Sequence, residues 1–147
     1  PANSWASLVE KARQLFPNLD IAQLDKNNKL EREAFDASVR DRCMALMRIL
    51  NDYVAMLNAD GSETEQAREI VTNYFNGERA LFSGESITNQ RNFKEDMTFQ
   101  RSGGGDYFAH WHGKISHRYF RLHFEWPFRK NQEKLEIFYL GPKLTKS

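Results

Sequence analysis

Between residues 107 and 128 the chain reads YFAHWHGKISHRYFRLHFEWPF, and this stretch holds all 4 histidines, His110, His112, His117 and His123. Lys114, Arg118, Tyr119, Arg121 and Glu125 are interleaved with them. Histidine titrates near neutral pH and serves as general acid or base, and a carboxylate can hold it or replace it. Arg and Lys can stabilise the extra charge of a pentacoordinate phosphoryl transition state. These are the groups that act on a phosphodiester. Tyr119 adds a ring able to stack a base or donate a proton.

Whether those groups meet depends on the elements that carry them. Beyond residue 95 the hydrophobic period changes from 3.6 to 2, so DMTFQR, YFAHWHGKI, RYFRLHFEW and KLEIFYL read as four short strands. SGGGD and PFRKNQE read as turns, and connections this short favour an antiparallel meander. Side chains alternate along a strand, which sends Phe120, Leu122, Phe124 and Trp126 to one face and Tyr119, Arg121, His123 and Glu125 to the other. In the strand 107–115, Tyr107, Ala109, Trp111, Gly113 and Ile115 alternate with Phe108, His110, His112 and Lys114. In the last strand Leu135, Ile137 and Tyr139 are expected to look inward, with Lys134, Glu136 and an ill-fitting Phe138 opposite.

If these strands are neighbours, one sheet face is core and the other carries the chemistry. His112, His123, Glu125 and Tyr119 are the candidate catalytic groups. Lys114 and Arg121 on that face, Arg118 in the SHR turn with His117, and Arg129 in the following turn are candidate nucleic-acid contacts. An antiparallel sheet commonly has one solvated face, so the same set also fits a plain solvent-facing surface. His110 and His112 with His123 have the residue types of a metal site, but no carboxylate is placed to orient them. The expectation is metal-independent chemistry with no cofactor.

Ahead of the strands the pattern is helical. Helices are expected over 4–16, capped by Asn3 or Ser4 and ended by Pro17, over 29–58, and over 62–76 with Ser62 and Glu65 as a capping box. Residues 81–95 read as a loop with at most one helical turn. Together these give an α+β fold in one domain over 1–147, with a helical part over 1–80 packed on an antiparallel sheet over 96–144. The apolar stripe of the 29–58 helix is broad enough to suggest a protein partner or a homodimer contact there.

Residues 1–100 carry 12 Lys+Arg against 16 Asp+Glu, a net −4, and residues 101–147 carry 9 against 4, a net +5. The basic end is therefore where an anionic ligand is expected. Cys43 is the only cysteine, so no disulfide framework or cysteine zinc motif exists, and a reducing, cytoplasmic setting is expected. PANSWASLVEKARQLF lacks the charged start and apolar run of a signal peptide, and no run approaches the roughly 18 apolar residues of a membrane span. SGGGD is neither a P-loop nor a dinucleotide fingerprint, which leaves a nucleotide sensor without a motif.

The succession HGKI, RYFRLHFEW, KLEIFYLGPKL resembles the C-terminal half of the RelE/ParE toxin superfamily, in its Gly-containing strand, its Tyr-Arg-hydrophobic strand and its last strand ending in Gly and a basic residue. The matching positions are Gly113-Lys114, Tyr119 with Arg121, and Leu135 to Tyr139 followed by Gly141 and Lys143. The resemblance implies helices on an antiparallel sheet and, for the RelE branch, cleavage of mRNA. It makes Lys114, Arg121 and Lys143 the phosphate-contacting candidates, while His123 and Glu125 go beyond what the family requires. The expected function is binding of RNA or single-stranded nucleic acid, with endoribonuclease activity of toxin or defence-effector type. Its alternative is a non-catalytic assembly module using the 29–58 helix.

Overall fold

Helix α1 (Trp5–Leu15) starts at Ser4, whose hydroxyl accepts from the Ser7 N–H at 3.1 Å while Ser7 Oγ accepts from the Ser4 N–H at 3.0 Å. This reciprocal cap satisfies donors that the first turn would otherwise leave bare. Trp5, Leu8, Val9 and Ala12 form its buried side, and Pro17 follows its end. The computed structural model describes residues 1–26, 28–115, 119–128 and 133–145.

After β1 (Leu19–Asp20) and a 3-10 turn, Ala22–Lys26, the segment expected as one helix over 29–58 is two, α2 (Asn28–Glu31) and α3 (Ala37–Ala55). Asp36 makes the break. Its backbone is extended, and its carboxylate accepts from Ser38 N at 2.8 Å and Val39 N at 3.2 Å, so it caps α3 instead of continuing a helix. Helix α4 (Glu65–Tyr74) is capped by Thr64 and not by Ser62, whose hydroxyl turns back to Asp60. The segment expected as a loop over 81–95 contains β2 (Phe82–Ser83) and α5 (Ile87–Asn92).

Strands β3 (Thr98–Gln100) and β4 (Asp106–Phe108) form a hairpin of their own, and β5 (His112–Ile115), β6 (Phe120–Phe124) and β7 (Leu135–Pro142) form the meander of the main sheet. Its order is β1-β7-β6-β5-β2, antiparallel except where β1 joins β7. The fold is α+β, N-terminal helices on a mostly antiparallel sheet. The strand expected over 107–115 is split. Ala109 N–H donates to Met97 O in the hairpin, while Trp111 O accepts from Phe124 N–H in the main sheet, so the chain changes sheets between them.

One sheet face carries Ile115, Phe120, Leu122, Phe124, Leu135, Ile137 and Leu140 against α1 and α3. Gly113 lets α3 come close, since a Cβ there would lie 2.8 Å from Leu46 Cδ1 and 3.1 Å from the Phe82 ring. Val39, Cys43, Leu46, Met47, Leu50 and Tyr53 of α3 are all buried within the chain. Of the stripe that suggested a partner on this helix, Val39, Leu46, Met47, Leu50 and Tyr53 are thus covered within the chain, and Met44, Ile49, Val54 and Leu57 are half-buried.

The opposite face is not wholly solvated. Met97, Ala109, Phe138, Tyr139 and Leu144 form a second core there with Phe93, Phe99, Tyr107 and Phe108 of the hairpin and its approaches. A bulge explains Phe138. His123 pairs with Tyr139 but Phe124 pairs with Ile137, so Phe138 is the extra residue and the alternation of β7 slips by one. Tyr139 accordingly lies on the His123 side and not, as the alternation indicated, with Leu135 and Ile137. Among the described residues no helix is long and apolar enough to cross a membrane.

Candidate functional site

The hairpin covers only part of the second face. Across the uncovered part runs a cleft of about 240 Å³, lined by Ser83, Gly84, Glu85, Ser86 and Asn89 on one side and by His112, Lys114, Arg121 and Lys143 on the other. Cross-strand register puts His112 opposite His123 and Lys114 opposite Arg121. The chain after β7 adds Lys143, whose N–H donates to Tyr119 O at 2.8 Å.

Glu85 comes from the segment whose purpose the sequence did not disclose. Its Oε2 lies 3.1 Å from His112 Nδ1, and its Oε1 accepts from Asn89 Nδ2 at 3.1 Å. Its backbone N–H donates to His110 Nδ1 at 3.2 Å. Gly84 permits this approach, because a Cβ there would sit 2.9 Å from His110 Cε1. The signals available were Gly84 before the carboxylate and Ser86 three residues before Asn89, a helix cap that fixes the carboxylate-bearing turn.

These contacts fix three tautomers. His112 Nδ1 faces two acceptors, Glu85 Oε2 and His110 O at 3.2 Å, so Nδ1 carries the proton and Nε2 keeps its lone pair. His123 Nδ1 likewise donates to Ala109 O at 2.7 Å. His110 Nδ1 accepts from Glu85 N–H and is therefore bare, leaving its proton on Nε2. Burial lowers the pKa of His112 below its ordinary value; Glu85 and His110 O push it up, and Arg121 and Lys114 push it down. Burial thus favours the neutral ring of His112, which Glu85 orients and Lys114 and Arg121 flank. Burial also lowers the Arg121 guanidinium, against the pull of Glu85.

The candidates from sequence divide cleanly. His112, Lys114, Arg121 and Lys143 meet in the cleft. His123 is fully buried behind His112, with ring centroids 5.4 Å apart. Glu125 is buried elsewhere, its Oε2 held 2.8 Å from Arg101 Nη2. Tyr119 is 72% exposed, beside Lys143. Arg118, Arg129 and His117 lie outside the described residues. Among the described residues no three His, Cys, Asp or Glu side chains are grouped to hold a metal ion.

His123 gives a stability prediction. Burial, then the neighbouring His112, brings its pKa down to about 3 from an ordinary 6.5, so the native state refuses a proton that the unfolded chain accepts. Its contribution is intact above pH about 6.5 and is lost progressively as pH falls toward 3, reaching about 2 kcal/mol at pH 5. His112 and His110 shift in the same direction. Urea midpoints at pH 7 and pH 5 should differ accordingly, and His123→Gln, whose amide can still donate to Ala109 O, should shrink the difference. An unchanged difference in the variant would assign the acid sensitivity to other groups.

Comparison with protein-family models, curated proteins and solved structures found no match to this chain.

Proposed function

We propose that the chain binds RNA, or other single-stranded nucleic acid, by its phosphate backbone in the Glu85–His112 cleft and cleaves RNA there without a metal, as a toxin or defence effector does. One observation carries this reading: a histidine whose Nδ1 faces a carboxylate shares a cleft with three cations, Lys114, Arg121 and Lys143. His112 Nε2 takes the proton of the attacking 2′-hydroxyl as its oxygen bonds to phosphorus, the P–O5′ bond breaks to leave a 2′,3′-cyclic phosphate, and the imidazolium, steadied by Glu85, returns the proton to the departing 5′-oxygen while the cations offset charge on the phosphoryl oxygens. The positions that the RelE/ParE resemblance marks for phosphate contact are these same three cations, which supports the reading.

Binding should fall as salt rises, because each neutralised phosphate releases counterions. Lys114→Ala and Arg121→Ala should each weaken RNA binding and reduce the slope of log K against log salt by roughly 1. End-labelled RNA and single-stranded DNA, each with and without EDTA, provide the test. Absence of binding at low salt by the unmodified protein sinks the proposal, and cleavage abolished by EDTA removes its metal-free part.

A further inference from the structure

Among the described residues four large hydrophobic side chains are notably exposed, and two stand apart: Ile87 at 75% and Tyr119 at 72%, against 43% for Leu15 and 38% for Met56. Single exposed apolar residues are ordinary on protein surfaces. These two, however, adjoin residues that line the same cleft. Ile87 directly follows Ser86 and precedes Asn89, both of which line it, and Tyr119 is bonded through its carbonyl to Lys143, which lines its other side. Tyr119 also has φ +56°, the one left-handed conformation recorded among the described non-glycine residues. A bulky side chain is costly there, and such strain gathers at ligand sites.

We infer that Tyr119 and Ile87 receive the unpaired bases on either side of the phosphate held in the cleft, so that the site selects single-stranded over duplex nucleic acid. The inference rests on the phosphate reading proposed above and adds to it the part of the ligand that lies beyond the phosphate. A phosphate alone gives no reason for apolar rims. A dinucleotide unit does, since it carries a flat π-face on each side of its anion, and every base can stack on an aromatic ring. In a duplex those faces are already stacked on neighbouring pairs. Tyr119 therefore acts as a binding platform and not as a proton donor.

The test is fluorescence anisotropy with one labelled RNA, single-stranded and as its duplex, together with competition by inorganic phosphate. Tyr119→Ala should weaken single-strand binding about tenfold, Ile87→Ala should weaken it less, and both should leave duplex binding and phosphate competition unchanged. Tyr119→Trp should retain single-strand binding. Tyr119→Gly, which suits the left-handed backbone, should melt no lower than the unmodified protein yet bind single strands as weakly as Tyr119→Ala. Equal single-strand affinity in Tyr119→Ala, or an equal loss on duplex, overturns the inference while leaving the cleft intact. If the unmodified protein binds neither RNA nor phosphate, the phosphate reading fails and this inference falls with it.

Discussion

Arg101→Ala is expected to lower the unfolding free energy by about 3–5 kcal/mol, because it strips the counterion from two buried carboxylates. Arg101 Nη2 lies 2.8 Å from Glu125 Oε2 and its Nε 3.5 Å from Glu136 Oε1, with the Glu125 side chain fully buried and that of Glu136 nearly so. The guanidinium also stands 4.8 Å from the Tyr107 ring centre and 5.8 Å from that of Phe138. The next residue, Ser102, gives its N–H to Glu136 Oε2 at 2.8 Å. This knot fastens the β3–β4 hairpin to the sheet. Burial raises the Glu136 pKa, against the hydrogen bonds of Ser102 and the charge of Arg101. Urea denaturation of Arg101→Ala, Glu125→Gln and the double variant measures the coupling. Neutralising Glu125 should recover part of the Arg101→Ala loss. A loss below about 1 kcal/mol would mean that water satisfies the carboxylates, as at an exposed pair.

That knot marks where sequence reasoning stopped. Alternation along β6 correctly separated Phe120, Leu122 and Phe124 from Arg121 and His123, because both faces of a strand are written into the period of 2. It could not say what would cover the polar side. Arg101 and Glu136 find each other across 35 positions of chain, and Phe138 and Tyr139 reach that side through a bulge that period-counting does not register. Glu125 looked like a proton-transfer group for the same reason, since its partner lies on a hairpin that the sequence reads as a strand of the main sheet. Lys114 and Arg121 of the cleft were legible because they need only alternate along neighbouring strands. Glu85 was not, because a carboxylate in a polar loop gains meaning only when β2 adds to β5 and brings it to His112. Short strands of two residues, such as β1 and β2, owe their existence to tertiary pairing and leave almost no local pattern.

His112→Ala should reduce RNA cleavage by roughly 10²- to 10⁴-fold while changing RNA affinity by only a few-fold, because a positioned base contributes about that much to rate and the cations do the holding. The split between rate and affinity matters, since a merely structural role for this buried side chain would lower both, and circular dichroism of the variant separates loss of fold from loss of base. The pH profile adds a sign. The proposed base must act in its neutral form, and burial lowers the His112 pKa from its ordinary 6.5, so the rate should rise with pH on a limb below that value and be flat through neutrality. Glu85 pushes the His112 pKa up. Glu85→Gln should therefore move the acid limb to still lower pH and also slow the plateau, because a neutral amide no longer stabilises the imidazolium that forms during proton transfer. A limb that stays in place would mean that Glu85 does not act through His112. A limb that moves with an unchanged plateau would make Glu85 a modulator of the base whose charge the transition state does not use.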